Sequence, residues 1–240
     1  MRQNCSSAVM QRRAEPHNSL DNFPTPPWAT RAVCEYLARL NRIDQGMTVR
    51  EPAANRGYMA RPLAEYFGTV ICQDIHDYGA GYLVEDYLFG PDQAEVDWTM
   101  TNPPFRLAQQ FIERALRTSR KGVAVIVRTA FLEGITRHNE LFKISPPARF
   151  LQFSDRVVMH KGKIVNPNIP IEQYDRKTGE PIINPKTGHP KLAKPTSATA
   201  YCWIVWEKDH NCPTQLDWIP SRREQLEREG DYDEVKHGQA

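Results

Sequence analysis

The run Gly122-Val123-Ala124-Val125-Ile126-Val127 constrains this chain more than any other stretch. It is apolar on both sides, rich in β-branched residues and bounded by a glycine. A strand of that kind has no face to give to water and belongs in the middle of a parallel sheet covered on both sides. Other strand-like runs surround it: Met47-Thr48-Val49-Arg50-Glu51, Thr69-Val70-Ile71-Cys72-Gln73-Asp74, and Val96-Asp97-Trp98-Thr99-Met100. Between them apolar residues recur at helical spacing: Val33, Tyr36, Leu37 and Leu40, then Met59, Leu63, Tyr66 and Phe67, then Leu107, Phe111, Ile112, Ala115 and Leu116. Strands alternating with helices over residues 28–127 predict a doubly wound, Rossmann-like α/β domain. Arg149 to Phe153 reads as a sixth strand and Ser197 to Trp206 as a seventh.

In such a sheet, ligands sit beyond the carboxyl ends of the strands. Three strand ends carry unusual residues. Glu51-Pro52-Ala53-Ala54-Asn55-Arg56-Gly57 is a small-residue turn leading into a helix. Asn55 is the non-glycine residue best suited to a left-handed backbone. Asp74 closes the second strand, 23 residues after Glu51, near the spacing at which an acidic residue meets ribose hydroxyls, though it also reads as an ordinary strand end. Thr101-Asn102-Pro103-Pro104-Phe105 follows the third run. Its two prolines fix two φ angles and remove two donors. The Asn102 and Pro103 carbonyls are therefore held extended, Asn102 adds an uncharged acceptor, and Phe105 adds a flat apolar ring.

The rest of the chain sets boundaries. A chain of 240 residues suffices for one domain with an elaboration, and a net charge of +2 neither demands nor excludes a nucleic-acid partner. The five cysteines form no C-x-x-C pair, which predicts free thiols and suits a reducing cytoplasm. No run is long enough to span a membrane, and the histidines form no metal-ligand pair. Residues 1–22 read as a mobile arm, 23–207 as the domain and 208–240 as a tail, with Asp209 to Pro220 a polar exit whose Trp218 packs back on the sheet. Arg114, Arg117, Arg120 and Lys121 read as the basic end of the third helix. Residues 154–196 form a long insertion rich in Pro, Lys, Asn and Gly. Between Lys161 and Lys194 it holds seven Lys/Arg against three acidic residues, with turn signals at Lys177-Thr178-Gly179 and Lys186-Thr187-Gly188. It reads either as a basic arm over the cleft that engages phosphates or as a flexible surface insertion. No internal repeat is read.

The N-P-P-aromatic stretch, in the order Thr25-Pro26, Glu51 to Gly57, Asp74, Asp86, Asn102 to Phe105, resembles class I S-adenosylmethionine-dependent amino-methyltransferases. It is similar in particular to the adenine-N6 DNA methyltransferases of phages and prophages. The resemblance implies that fold, a seven-stranded sheet whose last strand is antiparallel, and S-adenosyl-L-methionine as cofactor. It implies cofactor contacts from Thr25 and Pro26 to the methionine carboxylate and from Glu51 to its amino group. Pro52, Ala53, Asn55 and Gly57 would line the cofactor, Asp74 would meet the ribose, and Ile75, Asp86 and Tyr87 the adenine. It implies that Asn102, Pro103, Pro104 and Phe105 grip the acceptor amine and stack on its ring. DNA is the implied substrate. The same device serves an RNA base or a glutamine amide, and a subunit that has lost cofactor binding would keep the same fold.

Overall fold

The computed structural model describes residues 21–175 and 178–232. The part of the expected N-terminal arm at 1–20 and the end of the tail lie outside them. One sheet of eight strands runs through the domain: β1 (Thr48–Glu51), β2 (Thr69–Asp74), β3 (Leu83–Val84), β4 (Val96–Thr101), β5 (Ser119–Arg128), β6 (Arg149–Phe153), β9 (Tyr201–Glu207) and β10 (Gln215–Ile219). β7 (Ile171–Glu172) and β8 (Leu192–Ala193) pair separately in the insertion. The spatial order is β10-β6-β9-β5-β4-β1-β2-β3, with β9 antiparallel to both neighbours and every other pair parallel. The helices α1 (Pro27–Arg39), α2 (Ala60–Leu63) and α3 (Ala108–Thr118) connect and cover it.

The apolar run at 122–127 is the middle of β5 and is buried on both faces, as expected. Val123, Val125 and Val127 share one core with Cys202, Ile204 and Trp206 of β9 and with Ile112 and Ala115 of α3. Ala124 and Ile126 share the other with Trp203 and Val205 of β9 and with Trp28, Val33 and Leu37 of α1. Trp203 donates its indole N–H to the Ala29 carbonyl at 3.0 Å, so this buried tryptophan leaves its donor paired. Gly122 is needed for space: a Cβ there would lie 2.5 Å from the Trp98 ring and 2.6 Å from the Trp206 carbonyl oxygen.

Several expectations are corrected. Eight strands form the sheet, not seven: the strand read as the seventh, β9, is antiparallel as expected, and one more strand follows it. The supposed polar exit contributes β10, which pairs with β6 and leaves Trp218 56% exposed instead of packed back. An edge strand with four of its five residues exposed has no buried face to mark it in the sequence. The helix expected over Met59 to Phe67 has only four helical residues, Ala60–Leu63, with Pro62 among them. α3 ends at Thr118 and passes directly into β5, so Arg120 and Lys121 are strand residues. Arg114 is buried and donates to the carbonyls of Phe89 and Pro91, and Arg117 pairs with Asp92 at 3.0 Å. These cations hold the 89–92 loop against the helix, and Arg117 also donates to the Glu113 carbonyl in its last turn. Finally, the described residues of the insertion include the β7–β8 pair and isolated bridges, and the sequence at 174–191 is a tandem nine-residue repeat.

Candidate functional site

The chain runs outward from β1 through β2 to β3, and on the other side from β4 to β5. β1 and β4 are neighbours, so the direction of winding reverses between them. Their carboxyl ends are joined there by a 2.6 Å hydrogen bond from the Thr101 hydroxyl to Glu51 Oε1. Beyond this reversal point, where doubly wound sheets leave a crevice, lies a cavity of about 320 Å³.

Ten of the fifteen expected site residues line it: Thr25, Pro52, Ala53, Asn55, Asp74, Ile75, Asp86, Tyr87, Asn102 and Pro104. Pro26, Glu51, Gly57, Pro103 and Phe105 are not among its lining residues. Glu51 lies fully buried behind the turn that it anchors. Its Oε1 also accepts the Ala53 N–H at 3.0 Å, while Oε2 is buried with no partner among the described residues. Burial pushes its carboxyl up to about 8, against the lowering effect of the bonds from Thr101 and Ala53, and nearby Asp74 raises it further. Gly57 takes φ +83°, and a Cβ would fall 2.3 Å from the Tyr82 hydroxyl oxygen. Its role here is close packing of the turn.

Asn55 has φ +51°, the left-handed conformation its residue type suits. Its N–H donates to Asp74 Oδ2 at 2.9 Å, and the His76 N–H donates to Oδ1 at 3.0 Å. Asp74 thereby fixes two turns, and burial still holds its carboxyl above the usual range despite these amides. Asp86 accepts the Leu88 N–H at 2.9 Å, and Tyr87 is buried with its ring 5.1 Å from Phe111.

The Asn102 turn is held from an unexpected direction. Residues 21–24 line the cavity, and the first two of them belong to the segment read as a mobile arm. The Asn102 side-chain NH₂ donates to the Phe23 carbonyl at 2.9 Å. A carbonyl can only accept, so the amide orientation is determined: Nδ2 faces Phe23 and Oδ1 points away from it. Oδ1 accepts no hydrogen bond from the described residues, and neither does the Pro103 carbonyl. The Phe105 N–H donates to Asp21 Oδ2 at 3.0 Å, and Asn55 Nδ2 donates to Asn22 Oδ1 at 2.9 Å. Residues 21–23 thus bind both turns. The Phe105 ring is half-buried, with Phe23 at 5.5 Å on tilted planes and the Arg128 guanidinium 4.0 Å from its centroid. Met159 Sδ lies 3.9 Å from Asn102 Nδ2.

Sequence reasoning missed Asp21, Asn22 and Phe23, and also Tyr78, Leu107 and Phe111 of the lining. The last two were placed only on the apolar face of α3. No signal marks the first three, because two of their contacts are made through side chains in a polar lead-in and the third through a backbone oxygen.

A scan against protein-family profiles finds no match, and no curated protein sequence matches. Solved structures do match in fold. One from Listeria monocytogenes, described as a class I S-adenosylmethionine-dependent methyltransferase, has a TM-score of 0.55 at 12% identity, over 84% of this chain and 67% of that one. One from Pyrococcus horikoshii, described as an RNA methyltransferase, has a TM-score of 0.50 at 17% identity, over 81% and 91%. The methyltransferase subunit of a type I restriction-modification system from Streptococcus thermophilus has a TM-score of 0.50 at 11% identity, over 79% of this chain and 46% of that one. The chain has the class I methyltransferase fold.

Proposed function

We propose that this chain is an S-adenosylmethionine-dependent methyltransferase that methylates the exocyclic N6 of adenine in DNA. The observation that carries the reading is the Asn102 turn. Two acceptors, Asn102 Oδ1 and the Pro103 carbonyl, are left without donors among the described residues, and the first is aimed by the Phe23 carbonyl. Two fixed acceptors beside an aromatic ring match an sp² amino group, which has two hydrogens to donate and a flat ring behind it. The charge that develops on the amine in the transition state is positive, and fixed carbonyl dipoles stabilise it without reorganisation.

The residues fit the cofactor. A buried carboxylate oxygen on Glu51 and a buried hydroxyl on Thr25 both lack partners among the described residues. The first suits an ammonium group and the second a carboxylate, the two ends of an amino acid moiety. Asp74 and Asp86 on the cavity wall suit hydroxyl and amine donors, with Ile75 and Tyr87 as apolar faces. When bound, S-adenosylmethionine supplies a methyl group on a sulfonium, an electrophile that needs no metal or base to activate it. Asn102 and Pro103 accept the two amine hydrogens and draw the nitrogen lone pair out of conjugation. Phe105 offers its face to the base. The methylated nitrogen is then acidic enough to lose a proton to water, so the lack of a strong base at the turn is no obstacle.

Transfer of radiolabelled methyl from S-adenosylmethionine to unmethylated DNA, with RNA and a cell protein extract in parallel, tests the reading. Label recovered from DNA as N6-methyladenine is the expected result. Label in RNA or protein alone would keep the amine chemistry and replace the substrate. No label and no cofactor binding would leave a module that has only the fold.

A further inference from the structure

The insertion between β6 and β9 contains a duplication. Tyr174-Asp175-Arg176-Lys177-Thr178-Gly179-Glu180-Pro181-Ile182 is followed at once by Ile183-Asn184-Pro185-Lys186-Thr187-Gly188-His189-Pro190-Lys191. Each copy has Asp or Asn second, Lys-Thr-Gly at positions four to six, and Pro eighth. The structure repeats the bonds as well as the letters. Gly179 N–H donates to the Asp175 carbonyl and Gly188 N–H to the Asn184 carbonyl, both at 2.9 Å. Asp175 N–H donates to the Glu180 carbonyl at 2.8 Å and Asn184 N–H to that of His189 at 2.9 Å. The threonine hydroxyls of Thr178 and Thr187 accept the N–H of Glu180 and His189. The two glycines take φ +73° and +71°.

The two turns stand on one junction. β7 and β8 form the stem, and above it Gln173, Ile182 and Lys191 close a ring of three backbone bonds: Gln173 N to Lys191 O at 2.9 Å, Lys191 N to Ile182 O at 2.7 Å, and Ile182 N to Gln173 O at 2.8 Å. The module has almost no core. Tyr174, Ile182, Ile183 and Leu192 are 41% to 60% exposed. The ammonium groups of Lys163, Lys186, Lys191 and Lys194 have no partner among the described residues. β9 is antiparallel to β5 and β6, so the insertion leaves and re-enters the sheet at the edge where the Asn102 turn lies. Its lead-in touches the site itself, through Met159 at Asn102 and through a 2.8 Å bond from Gly162 N–H to the Asn22 carbonyl.

We infer that the twin turns are a nucleic-acid grip, which deepens the proposed function and rests on its nucleic-acid substrate. A duplicated binding element suits a ligand that itself repeats. A phosphate backbone offers evenly spaced anions to free lysines, and sugars and base faces offer apolar cover to the exposed Tyr174, Ile182, Ile183 and Leu192.

The test uses the full chain and a K186Q/K191Q variant. Binding to a fluorescein-labelled DNA duplex is measured by anisotropy over a range of salt, beside S-adenosylmethionine affinity, Tm and methyl transfer. Expected are weaker DNA binding and a log–log salt slope shallower by about 1.8, since each phosphate contact contributes about 0.9. Tm and cofactor affinity stay as in the wild type, and K186R/K191R restores the slope. An unchanged slope and affinity in the glutamine variant, or a wild type that binds no DNA, overturns the grip. If the wild type grips DNA through these lysines and transfers no methyl, the proposed function falls and the grip stands. If methyl transfer to DNA persists undiminished in the variant with the same slope, the grip falls and the function stands.

Discussion

The cavity rim and the twin-turn arm are neighbours on one edge of the sheet and are built on opposite plans. At the rim, half-buried donors are satisfied across long sequence distances: Asn102 Nδ2 by Phe23, the Phe105 N–H by Asp21, and Asn55 by both Asp74 and Asn22. In the arm, the turn bonds join residues within about one repeat of each other, and the surface is exposed. Long-range bonds fix a shape to a fraction of an ångström, as a small ligand and a reacting atom require. Local bonds keep a turn intact while the module as a whole adjusts to a long partner. The contrast separates two jobs, chemistry and reach, and each can be disturbed alone.

The largest break in the comparison comes from the rim. Asn102→Ala removes one acceptor and is expected to lower kcat by about a hundredfold or more, in the range seen when one transition-state hydrogen bond is lost. Calorimetry should find S-adenosylmethionine affinity close to wild type. A variant with wild-type kcat would end the proposed mechanism.

Glu51 gives the next effect, through pH. Below about 8 the buried carboxyl holds a proton, and pairing with the cofactor's ammonium requires it to leave. Cofactor affinity should therefore strengthen as pH rises toward 8, by up to about tenfold per unit, and then level off. Stability moves the other way. The folded value is raised above the unfolded 4.5, so the contribution of the neutral carboxyl is fully present below 4.5 and is lost as pH rises through 8. Glu51→Gln should flatten both profiles and weaken cofactor binding. A pH-dependent affinity that survives in the variant would assign the proton to another group.

The smallest effect sharpens the comparison. Gly57→Ala forces φ +83° on an alanine and drives its Cβ toward the Tyr82 hydroxyl. Destabilisation of about 1–3 kcal/mol is expected, read as a lower Tm. Gly179→Ala in the arm meets no atom within 4 Å, so it carries only the backbone strain and should leave the Tm of the domain nearly unchanged.

What the sequence made legible follows the same division. The central strand, the strand–helix alternation and the three strand-end turns were readable because burial writes itself as apolar runs and tight turns write themselves as Gly, Pro and Asn. β10 was not readable, since a mostly exposed edge strand needs no apolar alternation. The shortening of α2 around Pro62 and the direct passage of α3 into β5 are boundaries that apolar periodicity alone does not mark. The repeat at 174–191 was in plain view as two Lys-Thr-Gly turns. Only the matching hydrogen bonds made them copies and not coincident turns.

The oxygen that aims Asn102 belongs to the main chain of residue 23. Every amino acid carries that same atom, so replacing Phe23 one residue at a time cannot delete it. A substitution scan would score the position for its ring alone, and relatives could vary there freely while keeping the amide in place. What the position cannot tolerate is displacement. A single residue inserted between Phe23 and Thr25 would leave every recognisable motif intact and misdirect the one side chain on which the chemistry turns.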